Sequence, residues 1–267
     1  MKSQRLLIIL LVSITVVVIA AFVLTVTRDN PGARDIPTDP GHGPTERTYP
    51  EPTPTPTPPL PPSSDLFGNR LETPASETGV ILPQDFTARP DPARPDYLSA
   101  APARMQWQRG WGGAALPFSG SDGPTAVFDG VAIAFARTPQ GAALAAFDAM
   151  ARALSAPEGV WQQVVRERYY GGGQDLLDRF ARSRRTIGAA RYVVVPDGVR
   201  IQPGYADDLA VVEFATRDDI GYTVATWPMT WIDGDWRVRV TDNIETLWGA
   251  GTSVATLTGF GSWKGQP

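Results

Sequence analysis

Apolar and polar positions alternate most clearly between Gly221 and Val240, GYTVATWPMTWIDGDWRVRV. Asp233-Gly234 is a two-residue turn of the kind whose twist suits a hairpin. Folding about it sets Ile232 against Asp235, Trp231 against Trp236, Met229 against Val238 and Trp227 against Val240. The last three pairs are apolar and share one face, while Thr230, Arg237 and Arg239 take the other. A third strand extends this backward. With Arg217–Ile220 as a four-residue loop, Phe214 faces Thr223, Val212 faces Ala225 and Ala210 faces Trp227. The pattern predicts a three-stranded meander with one buried face. Pro228 cannot donate to a ladder, so a bulge or bend is expected there.

Upstream the period changes. Thr138-Pro139 supplies a hydroxyl cap and a proline at the first helical position. Leu144, Phe147, Met150, Ala151 and Leu154 then follow at helical spacing, giving a long helix with one apolar face. Pro157 opens a second helix with Val160, Trp161, Val164, Val165 and Arg168. Gly171-Gly172-Gly173 breaks it, and Leu176, Leu177 and Phe180 mark a third, ending in Arg182-Ser183-Arg184-Arg185. Val131–Ala136, Tyr192–Val195 and Val199–Tyr205 read as strands. Met105–Gly130 reads as an irregular glycine-rich loop laid over the core. This order predicts an α+β fold, a curved antiparallel sheet wrapped on a long helix to make a cone. The tail from Gly249 to Pro267 alternates small residues with Val254, Leu257, Phe260 and Trp263. It is expected to add an edge strand to its own sheet, the alternative being a strand offered to a neighbour.

The longest apolar run lies elsewhere. Leu6 to Thr27 is 22 residues without a charge, preceded by Lys2 and Arg5, long enough to span a bilayer as a helix. The positive-inside rule puts the N-terminus in the cytoplasm and the rest outside. The rival reading is a cleaved signal peptide with Val18-Ile19-Ala20 as a weak site, but the apolar run continues past it. Of 26 prolines, 18 fall between Pro31 and Pro102, and Glu51–Pro62 reads EPTPTPTPPLPP. Such a segment favours polyproline II, so residues 29–98 are expected to form a disordered spacer, extended or merely tethering. Leu66-Phe67 and Val80-Ile81-Leu82 are apolar islands that could dock on the domain or on a partner. The expected divisions are residues 1–28 for the stub and membrane anchor, 29–98 for the spacer, 99–248 for an extracytoplasmic domain and 249–267 for the tail.

Composition narrows the chemistry. There is no cysteine, and the single histidine, His42, falls in the spacer. The domain therefore has no means for Ser-His-Asp or Cys-His catalysis, or for an ordinary zinc site. Net charge is -4, and a near-neutral domain lacks the basic footprint that nucleic-acid binding needs. Arginine outnumbers lysine 22 to 2, a bias of high-GC bacterial genomes. Asp207-Asp208, Asp218-Asp219 and Asp233 with Asp235 sit in predicted turns, where aspartate bonds its own backbone. Asp242 with Glu245 completes the acidic groups, and Asp233 with Asp235, two alternate carboxylates on a tight hairpin, lack the ligand count calcium requires. No cofactor is expected. Gly171–Gly173 lacks the Lys-Ser/Thr pair of a phosphate loop. Arg182, Arg184 and Arg185 suit a helix C-terminus, with a binding patch as the alternative. Trp107, Trp111 and Phe118 in the opening loop are candidate partner contacts, and Trp227 and Trp231 are candidate ligand contacts beside Met229.

The runs LPFSGSDGP after Trp111, VAIAFARTPQGAALAAFDAMAR and WIDGDWRVRV resemble a family of membrane-anchored actinobacterial proteins of unknown function, often found with conjugative elements. The resemblance covers roughly Arg104 to Val240. It implies a nuclear-transport-factor-like, cystatin-like cone, similar in architecture to single-anchor assembly subunits of type IV secretion and conjugation machines. The family brings no catalytic residues. The expected function is a membrane-anchored scaffold or assembly protein that binds envelope proteins or copies of itself. A ligand-binding cone is the first alternative, and a carboxylate-only enzyme acting on wall glycans the second.

Overall fold

The computed structural model describes residues 60–186 and 188–265. The apolar run Leu6–Thr27, and the spacer through residue 59, lie outside the described residues. Among the described residues, no helix is long and apolar enough to cross a membrane.

Two sheets enclose one long helix. The first sheet has the order β1 (Leu60–Ser64), β2 (Arg70–Thr73), β3 (Gln106–Arg109) and β4 (Ala115–Phe118). A hairpin, β5 (Ala126–Phe128) and β6 (Val131–Ile133), leads to α1 (Pro139–Ser155), α2 (Val160–Arg168), the short β7 (Tyr169–Tyr170) and α3 (Gly173–Arg184). The second sheet adds β8 (Gly198–Ile201), β9 (Leu209–Arg217), β10 (Tyr222–Ile232), β11 (Asp235–Arg239) and β12 (Thr252–Val254). Its order is β7-β11-β10-β9-β8, with β12 paired to β10. The fold is α+β, antiparallel-rich, with no closed barrel among the described residues.

The hairpin register matches the sequence pattern: Ile232↔Asp235, Trp231↔Trp236, Thr230↔Arg237 and Met229↔Val238. Asp233 and Gly234 both take positive φ, 52° and 80°, as the favoured two-residue turn requires. The pairing between β9 and β10 is displaced by two residues from expectation, with Ala225 opposite Phe214, Trp227 opposite Val212 and Met229 opposite Ala210. Because side chains alternate with period two, this shift moves partners but keeps the buried face. The turn sets the shift. Asp218 accepts hydrogen bonds from the Ile220 amide at 2.9 Å and the Thr223 hydroxyl at 2.7 Å, so the loop is 218–221 and Arg217 stays in the strand.

Pro228 does not interrupt this ladder, since Pro228 pairs with Val211 in unbroken register. The Trp231 amide donates to Asp208 on the β9 side, so odd positions of β10 serve β9 and even positions face β11. The missing N–H of Pro228 therefore falls on the other edge, where pairing with β11 stops at Met229 and pairing with β12 covers only Tyr222–Val224. Val240, expected opposite Trp227, donates instead to the Tyr170 carbonyl.

The folded body reaches back beyond Ser99. Leu60-Pro61-Pro62-Ser63-Ser64 forms the edge strand of the first sheet, where proline is tolerated because one side of the strand needs no donor. Leu71 on β2 is buried, and Ile81 and Leu82 pack against the core. The stretch read as a loop over the core is itself a hairpin, Trp107 facing Pro117 and Gln108 facing Leu116. Gly112 and Gly113, both at positive φ, turn the chain between them. Tyr192–Val195 is not a strand; a 3₁₀ turn, Ala189–Tyr192, stands in its place. The tail does add an edge strand to its own sheet, and Gly261 bridges Val199 at the β8 edge.

α1 is buried on every side rather than along one stripe. It touches β4 in one sheet and β9, β10 and β11 in the other. Ala142, Ala143, Ala145, Ala146 and Ala149 are small enough to let both sheets approach. Its start is fixed as the sequence predicts: the Thr138 hydroxyl accepts from the Gly141 amide at 2.9 Å, with Pro139 following. The same hydroxyl donates to the buried Asp122 carboxylate at 2.6 Å. Thr138→Ala should therefore lower stability in urea unfolding by about 1–2 kcal/mol, the loss of a cap plus an orphaned acceptor, while Thr138→Ser should be near neutral.

Candidate functional site

Between α1 and the inner face of the second sheet, the packing opens into a cleft of about 260 Å3. The helix contributes Phe147, Met150 and Leu154; the sheet contributes Phe214, Thr216, Thr223, Ala225 and Trp227; the 3₁₀ turn and the residues after it supply Tyr192, Val193 and Val194. The opening follows from side-chain size. Thr216, Thr223 and Ala225 share a face with Trp227 and Phe214 but are too short to reach α1. Deeper along the same face, Met229, Val238 and Val212 are fully buried.

The floor is held by aromatic edges. Trp107 meets Phe147 edge-on at 4.9 Å between centroids, and Phe147 meets Phe214 at 5.3 Å, an arrangement that fixes ring positions. Tyr192 stands half exposed at the rim. The Thr223 hydroxyl is committed to Asp218. Among the described lining residues the Tyr192 phenol is the only ionisable side chain. The cleft can hold an apolar body and orient it with a few hydroxyls, but its lining offers no acid–base pair.

Of the candidate partner and ligand contacts named from the sequence, only Trp227 borders the cleft. Trp107 and Phe118 are core, and the Trp107 indole donates to the Trp263 carbonyl at 2.6 Å. Trp111 is partly buried beside the Arg152 guanidinium, 5.8 Å from its ring centroid. Met229 lies beneath the cleft floor. Trp231 sits at the opposite end of β10, edge-on to Trp236 and covered by Arg137. The arginine cluster is also divided. Arg184 donates to the carbonyls of Ala153 and Ala156, closing the C-terminal end of α1, and lies over the Trp161 ring. Burial lowers its pKa from the usual guanidinium value. Arg182 is exposed, 4.0 Å from Glu245, and Arg185 caps α3 through its backbone.

The carboxylates do not converge. Asp218 shapes its turn as expected, and Asp233 occupies the hairpin turn beside Arg237. Asp235 does not play a turn role; it is buried and bonded to Arg168 at 2.7 Å. Glu245 pairs with Arg179. Among the described residues, no three histidine, cysteine, aspartate or glutamate side chains come together as metal ligands would. Among cleft residues the sequence did not mark as contacts, Thr216 and Thr223 offered only the signal of short side chains on a tryptophan-bearing face, and Tyr192, on the 3₁₀ turn, offered none.

No curated protein and no solved structure matches the chain. Residues 72–262 match the family described as "Domain of unknown function (DUF8175)". The match runs from within β2 to the Gly261 bridge, taking in the first sheet except β1, the second sheet and the three described helices, and the chain belongs to that family.

Proposed function

We propose that this chain is a membrane-anchored, extracytoplasmic assembly protein whose cleft receives apolar side chains of another envelope protein. The observation that carries the reading is an apolar, aromatic-floored cleft with an exposed tyrosine at its rim and no acid–base pair in its lining. Such sites act as anchor pockets in protein recognition. A long helix against the inner face of an antiparallel sheet is also the arrangement expected of a cystatin-like cone. With Leu6–Thr27 as the anchor and a proline-rich spacer, tethering would raise the local concentration of the domain near its partners. The resemblance to conjugative and secretion assembly subunits supports a partner of that kind.

A small apolar ligand is the second reading. The volume lies near the lower end of small-molecule sites, about 300–1,000 Å3, and would suit only a small body.

The test is photo-cross-linking in cells from a reactive residue placed at Thr223, with and without Ala225→Trp. Ala225 is exposed, so tryptophan there fills the cleft without entering the core. Cross-links to envelope proteins should appear and fall about tenfold or more with the filled cleft, as for loss of a hot-spot pocket. Cross-links unchanged by Ala225→Trp would overturn the cleft as the docking site. A lipid-like molecule released from the purified chain would favour the second reading.

A further inference from the structure

A second depression, of about 290 Å3, lies where β2, β3 and the C-terminal tail meet, and shares no lining residue with the cleft. Leu82, Pro83 and the nearly buried Met105 and Trp107 are among the residues that line it. Three cations border it, Arg70, Arg104 and Lys264, against one carboxylate, Glu72.

The ion pairs around it are unevenly shared. Arg70 pairs with Glu72. The Lys264 ammonium lies 2.8 Å from Asp197, but that carboxylate also holds the Arg217 guanidinium, so two cations share one anion. Arg104 donates hydrogen bonds only to neutral groups, the carbonyls of Pro83 at 2.7 Å and Gly120 at 3.1 Å, with the Asp85 carboxylate near enough to feel its charge. Among the described residues, Arg104 therefore forms no ion pair of its own and Lys264 shares one.

Arg104 is also held in place. Its backbone takes φ 49°, a region a non-glycine residue occupies at a cost. Its guanidinium lies against Gly120, where a Cβ would come within 2.4 Å of Nε. A pre-positioned arginine in a concave, partly apolar site concentrates positive potential where a ligand would sit, and its fork matches the oxygens of a carboxylate or phosphate.

We infer that this depression binds a small oxyanion, carboxylate or phosphate, carried on an apolar body. The anion meets Arg104 and Lys264, with Arg70 alongside, and the apolar body lies on Met105 and Trp107. The inference does not depend on the cleft.

The test is calorimetric titration of the 267-residue chain in detergent, at constant ionic strength set by chloride. The probes are acetate, pentanoate and inorganic phosphate. Pentanoate should bind saturably and several-fold tighter than acetate, because its methylenes reach the apolar lining; phosphate saturating instead would identify the phosphate class. The paired substitution Arg70→Gln with Lys264→Gln should weaken binding about tenfold or more, as expected for lost charge-assisted hydrogen bonds. Glu72→Gln should strengthen it by removing the one lining carboxylate, a gain that misfolding cannot mimic. Ala225→Trp should leave it unchanged. Failure of every probe to saturate, or equal affinity in the wild type and both charge variants, would overturn the site.

Discussion

Arg152→Met is expected to cost about 3–5 kcal/mol of stability in urea unfolding, the penalty for leaving one member of a buried ion pair alone. Arg152 and Asp148 lie one turn apart on α1, and both side chains are fully buried. The guanidinium Nε meets the two carboxylate oxygens at 2.7 and 2.9 Å. Its remaining nitrogens donate to the carbonyls of Gly130 at 3.0 Å and Thr78 at 2.9 Å. One side chain thus ties α1 to the β5–β6 turn and to the segment before β3. The loss should also depend on pH. Burial pushes the Asp148 carboxyl above its ordinary 3.8, against the opposing pull of Arg152. A carboxyl whose pKa is higher folded than unfolded binds more protons in the folded state, so stability falls as pH rises through that window. Removing Arg152 takes away the strongest downward pull and widens the window. The variant should therefore be most stable in mild acid and weaken toward neutrality, more steeply than the wild type. Adding Asp148→Leu removes the stranded charge and should recover most of the loss, because apolar replacement of a whole buried pair is often neutral or better. A flat pH profile with no recovery in the double variant would show that Asp148 is not the residue left stranded.

What the sequence disclosed, and what it hid, divides by the length of the pattern. The β10–β11 hairpin was legible because eight alternating positions flank an Asp-Gly turn. The β5–β6 hairpin uses the same device, Asp129-Gly130 with φ 48° and 84°, yet only three residues on each side pair. That is too short for alternation to stand out from a glycine-rich background. α1 was found by its cap and its period. Its burial on all sides was not, because alanine reads equally as a neutral helix former and as a residue chosen for close approach. The first sheet was missed for a compositional reason: Pro61 and Pro62 suggest a spacer, whereas an edge strand can carry them on its unpaired side. Of the expected ligand contacts Trp227, Met229 and Trp231, only Trp227 borders the cleft, and the rest of its lining was not legible. Period two reports which face a residue occupies, and says nothing of whether a threonine there is long enough to touch the helix. The charged depression escaped for a different reason. Arg70, Arg104 and Lys264 are far apart in sequence, and only the pairing of β2 with β3 and the return of the tail bring them together.

Asp235→Ala should be as damaging as the loss of Arg152, about 3–5 kcal/mol, through a different connection. In the sequence Asp235 resembles Asp233, two residues earlier in the same hairpin, yet Asp233 is exposed and Asp235 is buried. The Asp235 carboxylate accepts from the amides of Ala134 at 2.9 Å, Phe135 at 3.3 Å and Trp236 at 2.8 Å, and from Arg168 at 2.7 Å. It joins the second sheet to the segment entering α1 and to the end of α2. Ala134 takes φ 60°, a conformation that persists only where its surroundings hold it. Arg168, buried and lying over the Phe135 ring, would keep only its bond to the Trp236 carbonyl. Alanine at 235 therefore strands a cation and up to three amide groups together. Asparagine retains an acceptor but not the charge, and should fall roughly midway, since bonds to charged groups contribute about twice those to neutral ones. Hydrogen exchange separates this connection from general weakening: amides of residues 131–136 should lose protection in Asp235→Asn before those of β9 do. If β9 and residues 131–136 lose protection equally, the carboxylate is only one more core contact, and the connection between sheet and helix lies elsewhere.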